Sequence, residues 1–272
     1  MLDRRKWYGM LEVSGSRIIC SMIELQRVSK SYNSTTALHP TDLSLAPGRT
    51  TVLIGPSGCG KSTVLRLMIG LIRPDAGTVR FDGEVLGTEN VRAIRQRMGY
   101  VIQEGGLFPH LTARDNVTLM ARHLGWDGER IRERVAELAE LVQLPEERLT
   151  QYSVQLSGGQ RQRVGLMRAL VLDPAVLLLD EPLGALDPMI RSDLQADLRG
   201  IFRKLKKTVV MVTHDIGEAG YFGDTIVLLR SGRIVQQGTL RDLVQAPAEP
   251  FVEAFINAQH SPLDSLRMEN GG

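Results

Sequence analysis

Three stretches of the chain combine residue types that can hold phosphate groups and metal ions. The first, "GPSGCGKS", runs from Gly55 to Ser62, matches G-x-x-x-x-G-K-[ST] and follows the strand-like run "TVLIG". In this pattern glycines let backbone amides approach phosphate, the lysine reaches the β- and γ-phosphates, and the serine hydroxyl binds Mg²⁺. A merely flexible loop is the alternative, but the strand-loop-helix context favours phosphate binding. The predicted nucleotide-binding residues of this loop are Gly55, Pro56, Ser57, Gly58, Cys59, Gly60, Lys61, Ser62 and Thr63.

Two carboxylates end the second stretch, "AVLLLDEP", at residues 175–182. Its apolar run predicts a buried strand that places Asp180 at the carboxyl end and Glu181 directly after it. Asp180 is predicted to bind Mg²⁺ directly or to support its ligands, and Glu181 to act as general base toward an attacking water. Asp-Glu-Pro is also an ordinary exit from a strand into a turn. Downstream of a phosphate loop, the chemical interpretation is favoured.

The third stretch, "TVVMVTHD" at residues 208–215, ends a further apolar run with His214. A lone histidine there is commonly a core residue, but ligands of open α/β sheets lie at the carboxyl ends of strands. We therefore predict that His214 contacts the γ-phosphate. Gln103, which ends "GYVIQ", falls at the same edge and could orient water or metal. The predicted catalytic residues are Lys61, Gln103, Glu181 and His214, and the predicted metal ligands are Ser62, Gln103 and Asp180.

A second glycine-rich helix start lies in "LSGGQRQRV", at residues 156–164. Glycine costs about 1 kcal/mol relative to alanine inside a helix, so two glycines in a first turn require a reason. Bare amides at a helix start bind anions, and a serine before them caps the helix. The sequence therefore predicts a second anion-binding site, formed by Ser157, Gly158, Gly159 and Gln160.

The elements that must position these residues follow an α/β pattern. Uniformly apolar strands around the three stretches are typical of a parallel sheet covered on both faces. "TVRFDGEVL", around Asp82-Gly83, and "TIVLLRSGRIVQQG" each predict a hairpin, and the run from Met22, "MIELQRVSKSY", alternates as an edge strand does. Residues from about 104 to 173 show helical periodicity. The predicted fold is therefore a P-loop α/β core with an antiparallel β subdomain and an inserted helical subdomain.

Composition excludes several classes of protein. The 272 residues are 43% hydrophobic and 24% charged, as in ordinary globular proteins, and a net charge of +2 gives no argument for a nucleic-acid partner. Two cysteines, Cys20 and Cys59, exclude a disulfide framework, and no apolar stretch approaches the roughly 18 residues of a membrane span. Residues 1–21 are predicted to be an unstructured leader or a mis-assigned start, and residues 259–272 a polar tail.

Taken together and in this order, the motifs resemble those of the ATP-binding-cassette (ABC) ATPases. The resemblance extends from Met22 to about Ala258 and rests on "GPSGCGKST", "LSGGQRQRV", "LLLDEP", "LGALD", Gln103 and His214. It implies that ATP and Mg²⁺ are the cofactors and that two subunits pair head-to-tail. The Ser157–Gln160 stretch of one subunit then caps the γ-phosphate held by the other. Tyr32 would stack on adenine, with a plain surface tyrosine on an edge strand as the alternative, and Asp187 would lie at the dimer seam.

The resemblance also implies partners at a membrane. The segment 104–117, "EGGLFPHLTARDNV", would meet a coupling helix of an integral membrane permease, at the cytoplasmic face of the inner (plasma) membrane. "VIQEGGLFPHLTARDNV" and "THDIGEAGYFGD" look most like subunits that power import of osmoprotectants such as glycine betaine or choline. Such complexes include an extracytoplasmic solute-binding protein.

The residues are also compatible with other functions. An importer for another small solute and an exporter are the alternatives, and no residue of this chain reads the solute. A soluble nucleic-acid or translation factor is disfavoured, since it usually needs two cassettes or a long coiled-coil insert. Cys59 is predicted to be a small packing residue rather than a nucleophile, and "RKLKK", at residues 203–207, a solvated helix end.

Overall fold

A computed structural model of the chain describes residues 22–184 and 187–259. The predicted leader, the tail beyond Gln259, and Ala185 and Leu186 of "LGALD" lie outside the described residues. The strands are β1 (Ile23–Tyr32), β2 (Thr35–Leu45), β3 (Thr50–Ile54), β4 (Ala76–Phe81), β5 (Glu84–Val85), β6 (Met98–Val101), β7 (Val176–Asp180), β8 (Thr208–Val212), β9 (Thr225–Arg230) and β10 (Arg233–Gly238). The helices are α1 (Lys61–Met68), α2 (Val91–Gln96), α3 (Ala113–His123), α4 (Gly128–Leu141), α5 (Gly158–Leu170), α6 (Pro188–Leu205), α7 (Ile216–Phe222), α8 (Leu240–Gln245) and α9 (Pro250–Asn257).

The central sheet has six strands in the order β10-β9-β3-β8-β7-β6. Neighbours from β9 to β6 pair in parallel, and β10 joins β9 as the second predicted hairpin. Every residue of β3, β7 and β8 is buried, as their uniformly apolar composition predicts. The register sets Leu53 beside Val212 and Val212 beside Asp180. The carboxyl ends of these three strands therefore finish in one row.

A second sheet is antiparallel, in the order β2-β1-β4-β5. The predicted turn at Asp82-Gly83 joins β4 to β5, and both turn residues have positive φ, 52° and 80°. The prediction that the strand after Met22 is an edge strand is wrong, because β1 pairs with both β2 and β4. Its alternation has another cause: Ile23, Leu25 and Val28 are buried while intervening side chains are partly exposed. Alternation reports burial of one face, which interior strands of antiparallel sheets share.

Helices α3, α4 and α5 follow β6 and precede β7 along the chain, and they form the predicted helical insert. In α4 the buried residues Ile131, Val135 and Leu138 recur at helical spacing and face the core. Helix α5 packs on α3, on α4, on β6 and on a 3₁₀ turn at Gln103–Gly106. The insert is thereby tied to the strand that leads into Gln103.

The central sheet separates two hydrophobic cores, since successive strand residues point to opposite faces. On one side Leu53, Val210 and Val227 pack with α1 and the antiparallel sheet. On the other, Val52 and Val209 pack with the helical insert and with the helices that follow β7. In the described part of the chain, no helix combines the length and the apolar character needed to cross a lipid bilayer.

Candidate functional site

The loop between β3 and α1 turns sharply through two glycines. Gly55 has a φ of 144°, and a Cβ there would lie 2.1 Å from the carbonyl oxygen of Leu229. Gly60, the N-cap residue of α1, has a φ of 109°, and its Cβ would lie 2.7 Å from the carbonyl oxygen of Ala37. Both positions require glycine, because another side chain would be strained and would have no space. The loop therefore lies closely against β9 and β2.

Lys61 turns back inside this loop. Its side chain is buried, and Nζ donates hydrogen bonds to the carbonyl oxygens of Gly55 at 2.7 Å and Pro56 at 3.0 Å. A buried ammonium held in the loop is suited to pair with phosphate oxygens. The Sγ atom of Cys59 lies 3.9 Å from the same Nζ, and burial raises the pKa of the Cys59 thiol. A thiol that keeps its proton is a poor nucleophile, which supports a packing role for Cys59.

The start of α1 is joined to the end of β7 through a carboxylate. The Oγ of Ser62 donates a hydrogen bond to Oδ1 of Asp180 at 3.1 Å, and the hydroxyl of Tyr100 donates to Oδ2 at 3.3 Å. A carboxylate beside a hydroxyl offers the hard oxygen atoms that Mg²⁺ prefers. The described residues include no group of three His, Cys, Asp or Glu side chains that could hold a metal. A Mg²⁺ ion here would therefore take further ligands from phosphate and water.

Tyr100 was not predicted as part of the site. Burial, followed by the charge of Asp180, raises the pKa of Tyr100 to about 12, so the phenol stays protonated at neutral pH and donates to the carboxylate. The sequence places Tyr100 on a strand, but pairing of β6 with β7 brings its hydroxyl to Asp180. That contact depends on register between strands that are distant in the chain.

Glu181 and His214 lie together at the open edge of the sheet. The Glu181 amide donates to the carbonyl oxygen of Val212 at 3.0 Å, and Glu181 has a φ of 46°. A positive φ is uncommon outside glycine and indicates a position that the surrounding structure holds. Oε2 of Glu181 lies 3.5 Å from Nδ1 of His214, whose side chain is 56% exposed. A carboxylate able to accept a proton and an imidazole able to donate a hydrogen bond thus face solvent side by side.

An open hollow lies between His214 and the first residues of the phosphate loop. It has a volume of about 410 Å³. The residues that line it are Gly55, Pro56, His214, Asp215, Phe255 and Gln259. The predicted histidine and the first residues of the predicted phosphate loop therefore border the same space, together with Phe255 of α9.

Gln103 and Tyr32 lie at the margins of this arrangement. The predicted strand "GYVIQ" ends earlier than expected, at Val101, and Gln103 begins the 3₁₀ turn with its side chain exposed. Its strand neighbours β7, so Gln103 follows the same edge as Asp180. Tyr32 ends β1 and is 42% exposed. It belongs to the hairpin whose second strand, β2, contacts the phosphate loop, so its ring is available to a planar base nearby.

The second predicted anion site forms the start of α5. The Oγ of Ser157 accepts a hydrogen bond from the backbone amide of Gln160 at 3.3 Å. In return, Oε1 of the Gln160 side chain accepts from the backbone amide of Ser157 at 2.9 Å, which makes a capping box. The first amide that bonds within the helix is that of Arg161, to the Ser157 carbonyl. The amides of Gly158 and Gly159 therefore have no acceptor within the helix. Gly159 is buried, Ser157 is exposed, and Gly158 and Gln160 are partly exposed.

The two helix starts belong to different parts of the fold. Helix α1 packs on β1, β2, β7 and β8, whereas α5 packs on α3, α4 and β6. Asp187, which ends "LGALD", is the exposed N-cap residue of α6. The structure thus brings the phosphate loop, Asp180, Glu181 and His214 together, and leaves Ser157 on another surface element.

Comparison with known proteins accounts for this combination of motifs. The family model described as ABC transporter matches residues 38–184, which is more than half of the chain. The chain belongs to the ABC transporter family. This ABC protein is 44% identical to the glycine betaine/carnitine/choline transport ATP-binding protein of Bacillus subtilis, over 88% of its own length and 63% of the relative. It therefore spans less than two thirds of that relative.

Two further relatives of this ABC protein differ in their named solutes. The osmoprotectant import ATP-binding protein of Salmonella typhimurium is 41% identical over 92% of this chain and 67% of the relative. The sulfate/thiosulfate import ATP-binding protein of Synechococcus elongatus is 44% identical over 86% of this chain and 67% of the relative. Percentage identity alone therefore does not separate the two classes of solute.

Solved structures agree with the predicted α/β cassette fold of this ABC protein. A dimeric bacterial ABC transporter cassette is 36% identical with a TM-score of 0.74, over 81% of this chain and 99% of that chain. The same cassette in a dimeric post-hydrolysis state, bound to ADP and Pi, is 35% identical with the same score and coverage. A part of an ABC transporter complex from Clostridium perfringens is 27% identical with a TM-score of 0.77, over 92% of this chain.

Proposed function

We propose that this ABC protein is the ATP-hydrolysing subunit of a membrane importer. One observation carries the proposal: Lys61, the Ser62–Asp180 pair and the Glu181–His214 pair all lie at the carboxyl ends of adjacent parallel strands. That edge is where open α/β sheets bind their ligands. Phosphoryl transfer needs a positive charge, oxygen ligands for a metal ion, a base and a hydrogen-bond donor. These groups are therefore close to one another.

ATP would bind with its phosphates in the loop from Gly55 to Thr63. Lys61 would exchange its carbonyl partners for phosphate oxygens, and the ring of Tyr32 would stack on adenine. Ser62 and Asp180 would hold Mg²⁺, with Gln103 as a further oxygen ligand. The ion, when bound, neutralises charge on the phosphates. Tyr100 supports this arrangement by holding the other oxygen of Asp180.

Hydrolysis needs a group that accepts a proton from water and a group that donates a hydrogen bond to the γ-phosphate. Glu181 would accept a proton from water as the water oxygen bonds to the γ-phosphorus and the bond to the bridging oxygen breaks. His214, 3.5 Å from Glu181, would donate a hydrogen bond to a γ-phosphate oxygen. The products are ADP and inorganic phosphate.

Two subunits would complete two sites. The start of α5, Ser157 to Gln160, has amides without acceptors in the helix and lies apart from its own phosphate loop. In a head-to-tail pair it would meet the γ-phosphate held by the partner, with Asp187 at the seam. The dimeric cassette that this chain resembles supports such pairing.

Other chains would carry the solute across the membrane. Residues 104–117 would dock on a coupling helix of an integral permease, at the cytoplasmic face of the plasma (inner) membrane, and an extracytoplasmic protein would deliver the solute. An osmoprotectant such as glycine betaine or choline is the solute that the named relatives support. Sulfate or thiosulfate is the second candidate, favoured by the equally identical Synechococcus relative. Uptake of labelled glycine betaine and of labelled sulfate, by cells that co-express the chain with its permease, separates the two candidates.

Replacement of the proposed base tests the enzymatic part of this function. In Glu181→Gln the rate of ATP hydrolysis should fall by about 10² to 10⁴, because the amide cannot accept the proton. Binding of ATP survives, so saturating ATP should yield a stable dimer on size-exclusion chromatography. Glu146→Gln, at an exposed glutamate outside the site, is the matched control and should behave as the parent. Hydrolysis at the parental rate, or a variant that stays monomeric with ATP, would refute the assignment.

A further inference from the structure

Three residues, Thr213–Asp215, connect β8 to α7 and carry His214. On the side of β8 the segment is well anchored. The Thr213 amide donates to the carbonyl oxygen of Leu53 at 3.2 Å, and Thr213 Oγ1 donates to Oε2 of Glu218 at 2.6 Å. Glu218 is buried, and its burial raises the pKa of its carboxyl group. The backbone before His214 is therefore held by the sheet and by the first turns of α7.

On the other side, the segment is held from a distant part of the chain. The amide of Ile216, the first residue of α7, donates a hydrogen bond to Oε1 of Gln259 at 2.7 Å. This amide has no acceptor within its own helix, since the first residues of every helix lack one. Oδ1 of Asp215, the N-cap residue, accepts instead from the backbone amide of Glu218 at 3.0 Å. Gln259 therefore supplies a partner that neither α7 nor its N-cap residue can supply.

Gln259 is itself fixed by helix α9. Val252 and Ile256 are buried in the core, Phe255 packs against it, and the Gln259 amide donates to the Ile256 carbonyl at 3.1 Å. Spacings of three and four residues place these three side chains on one side of α9, and Gln259 follows two residues after the helix ends. The acceptor oxygen is thus attached to a packed element.

Gln259 and His214 also line the same hollow as the phosphate loop. The imidazole is 56% exposed, and its contact with Glu181 is 3.5 Å long, at the outer limit of a hydrogen bond. The position of the ring is therefore determined mainly by the backbone that carries it. That backbone is clamped at Thr213 by the sheet and at Ile216 by Gln259.

We infer that Gln259 is a positioning residue that holds His214 toward the γ-phosphate by accepting from the Ile216 amide. The inference rests on the proposed function, because His214 is given its role there. Without this acceptor the Ile216 amide loses its partner in a partly buried place, and the segment that carries His214 is free to shift. A displaced imidazole stabilises the transition state less, whereas ATP binding through the phosphate loop is retained.

Steady-state ATP hydrolysis by the full chain tests the inference through three variants. Gln259→Met, which keeps the length of the side chain and removes the acceptor, should lower kcat about three- to tenfold with KM for ATP within about twofold. Gln259→Glu keeps an acceptor oxygen and should restore kcat to within about twofold of the parent. Gln245→Met is the matched control: among the described residues, the Oε1 of this exposed glutamine accepts from Arg241 alone, within α8, so kcat should be unchanged.

Amide hydrogen exchange keeps the inference testable independently of hydrolysis. In Gln259→Met, exchange at Ile216 should accelerate while exchange in β8 is unchanged. Parental kcat in Gln259→Met, or unchanged exchange at Ile216, would overturn the clamp. So would a fall in kcat that Gln259→Glu does not restore. Because exchange needs no turnover, it reports on the clamp even if Glu181→Gln rejects ATP hydrolysis.

Discussion

The two glycine-rich helix starts look alike in sequence and differ in physical design. At α1 the N-cap residue is Gly60, with positive φ and no side-chain cap, and the next residue, Lys61, is buried. At α5 the N-cap residue is Ser157, which is exposed and forms a capping box with Gln160. The first start is therefore enclosed by the fold, whereas the second is complete as a local structure and open to a partner.

The glycines consequently serve different purposes. Gly55 is required by its own backbone conformation and by the nearby carbonyl of Leu229. Gly158 and Gly159 belong to the first turn of α5, a conformation that alanine would adopt at lower cost. Under the proposed dimer, access to the Gly158 amide from outside would account for Gly158, whereas Gly159 is buried. The two motifs are alike in composition, but the fold requires Gly55, whereas the proposed dimer would require Gly158.

The largest expected effect separates the two starts by what they bind. Ser157→Arg should lower hydrolysis by about 10² or more, since a bulky cation obstructs the closed dimer, while ATP affinity of the monomer stays within about twofold. Lys61→Ala should lose affinity in the monomer itself, because the buried ammonium belongs to the subunit's own loop. Equilibrium binding of a fluorescent ATP analogue measures both variants. An equal loss of monomer affinity in the two would refute the action of Ser157 across the dimer.

Mixing the two inactive variants sharpens this test. In a mixed dimer one composite site carries both changes, while the other has an intact Lys61 and an intact partner Ser157. Partial recovery of hydrolysis on mixing is expected if one intact site turns over. Each variant alone, at the same total protein concentration, is the control. Hydrolysis by either variant alone at the level of the mixture would contradict the pairing.

Alanine at Gly55 and alanine at Gly158 give the next largest effect. The two variants should change the free energy of unfolding differently. Gly55→Ala should cost about 2 to 4 kcal/mol, through strain at a φ of 144° and overlap with the Leu229 carbonyl, and lower the melting temperature by about 5 to 10 °C. Gly158→Ala should leave stability equal or raise it by up to about 1 kcal/mol while lowering hydrolysis. Thermal unfolding followed by circular dichroism decides. Similar destabilisation in both variants would show that the fold requires glycine at both positions.

Substitution of Tyr100 gives the smallest expected effect near neutral pH. Tyr100 donates a hydrogen bond to Asp180, which also accepts from Ser62 at the start of α1. Its pKa is raised to about 12 in the folded chain from 10.0, so the folded state holds the proton more tightly. The contribution is complete below about pH 10 and is lost as the pH rises to about 12, by about 2 to 3 kcal/mol at most. Tyr100→Phe should flatten this alkaline loss in urea unfolding and cost only about 1 kcal/mol at neutral pH. An unchanged alkaline slope would contradict the raised pKa of Tyr100, which burial causes first and the charge of Asp180 second.

Prediction from sequence succeeded where the signal was local. The hairpin at Asp82-Gly83, the buried strands β7 and β8, and the helix start at Ser157 each follow from nearby residue types. It was less accurate for the basic run 203–207. Lys207 is only 18% exposed and pairs with Asp173 at 2.8 Å, so the solvated helix end includes one tethered lysine. No pattern near Lys207 announces a partner that far away in the chain.

What the sequence determined by itself is the set of reactive residue types and their place at strand ends and helix starts, because hydrophobic period and turn chemistry act over a few residues. Tertiary structure alone decided which of these residues meet. The interior position of β1, the contact of Tyr100 with Asp180 and the bond from Ile216 to Gln259 all depend on strand order and helix packing. Their partners are far apart along the chain, and it is burial of the two cores that brings them within hydrogen-bond distance.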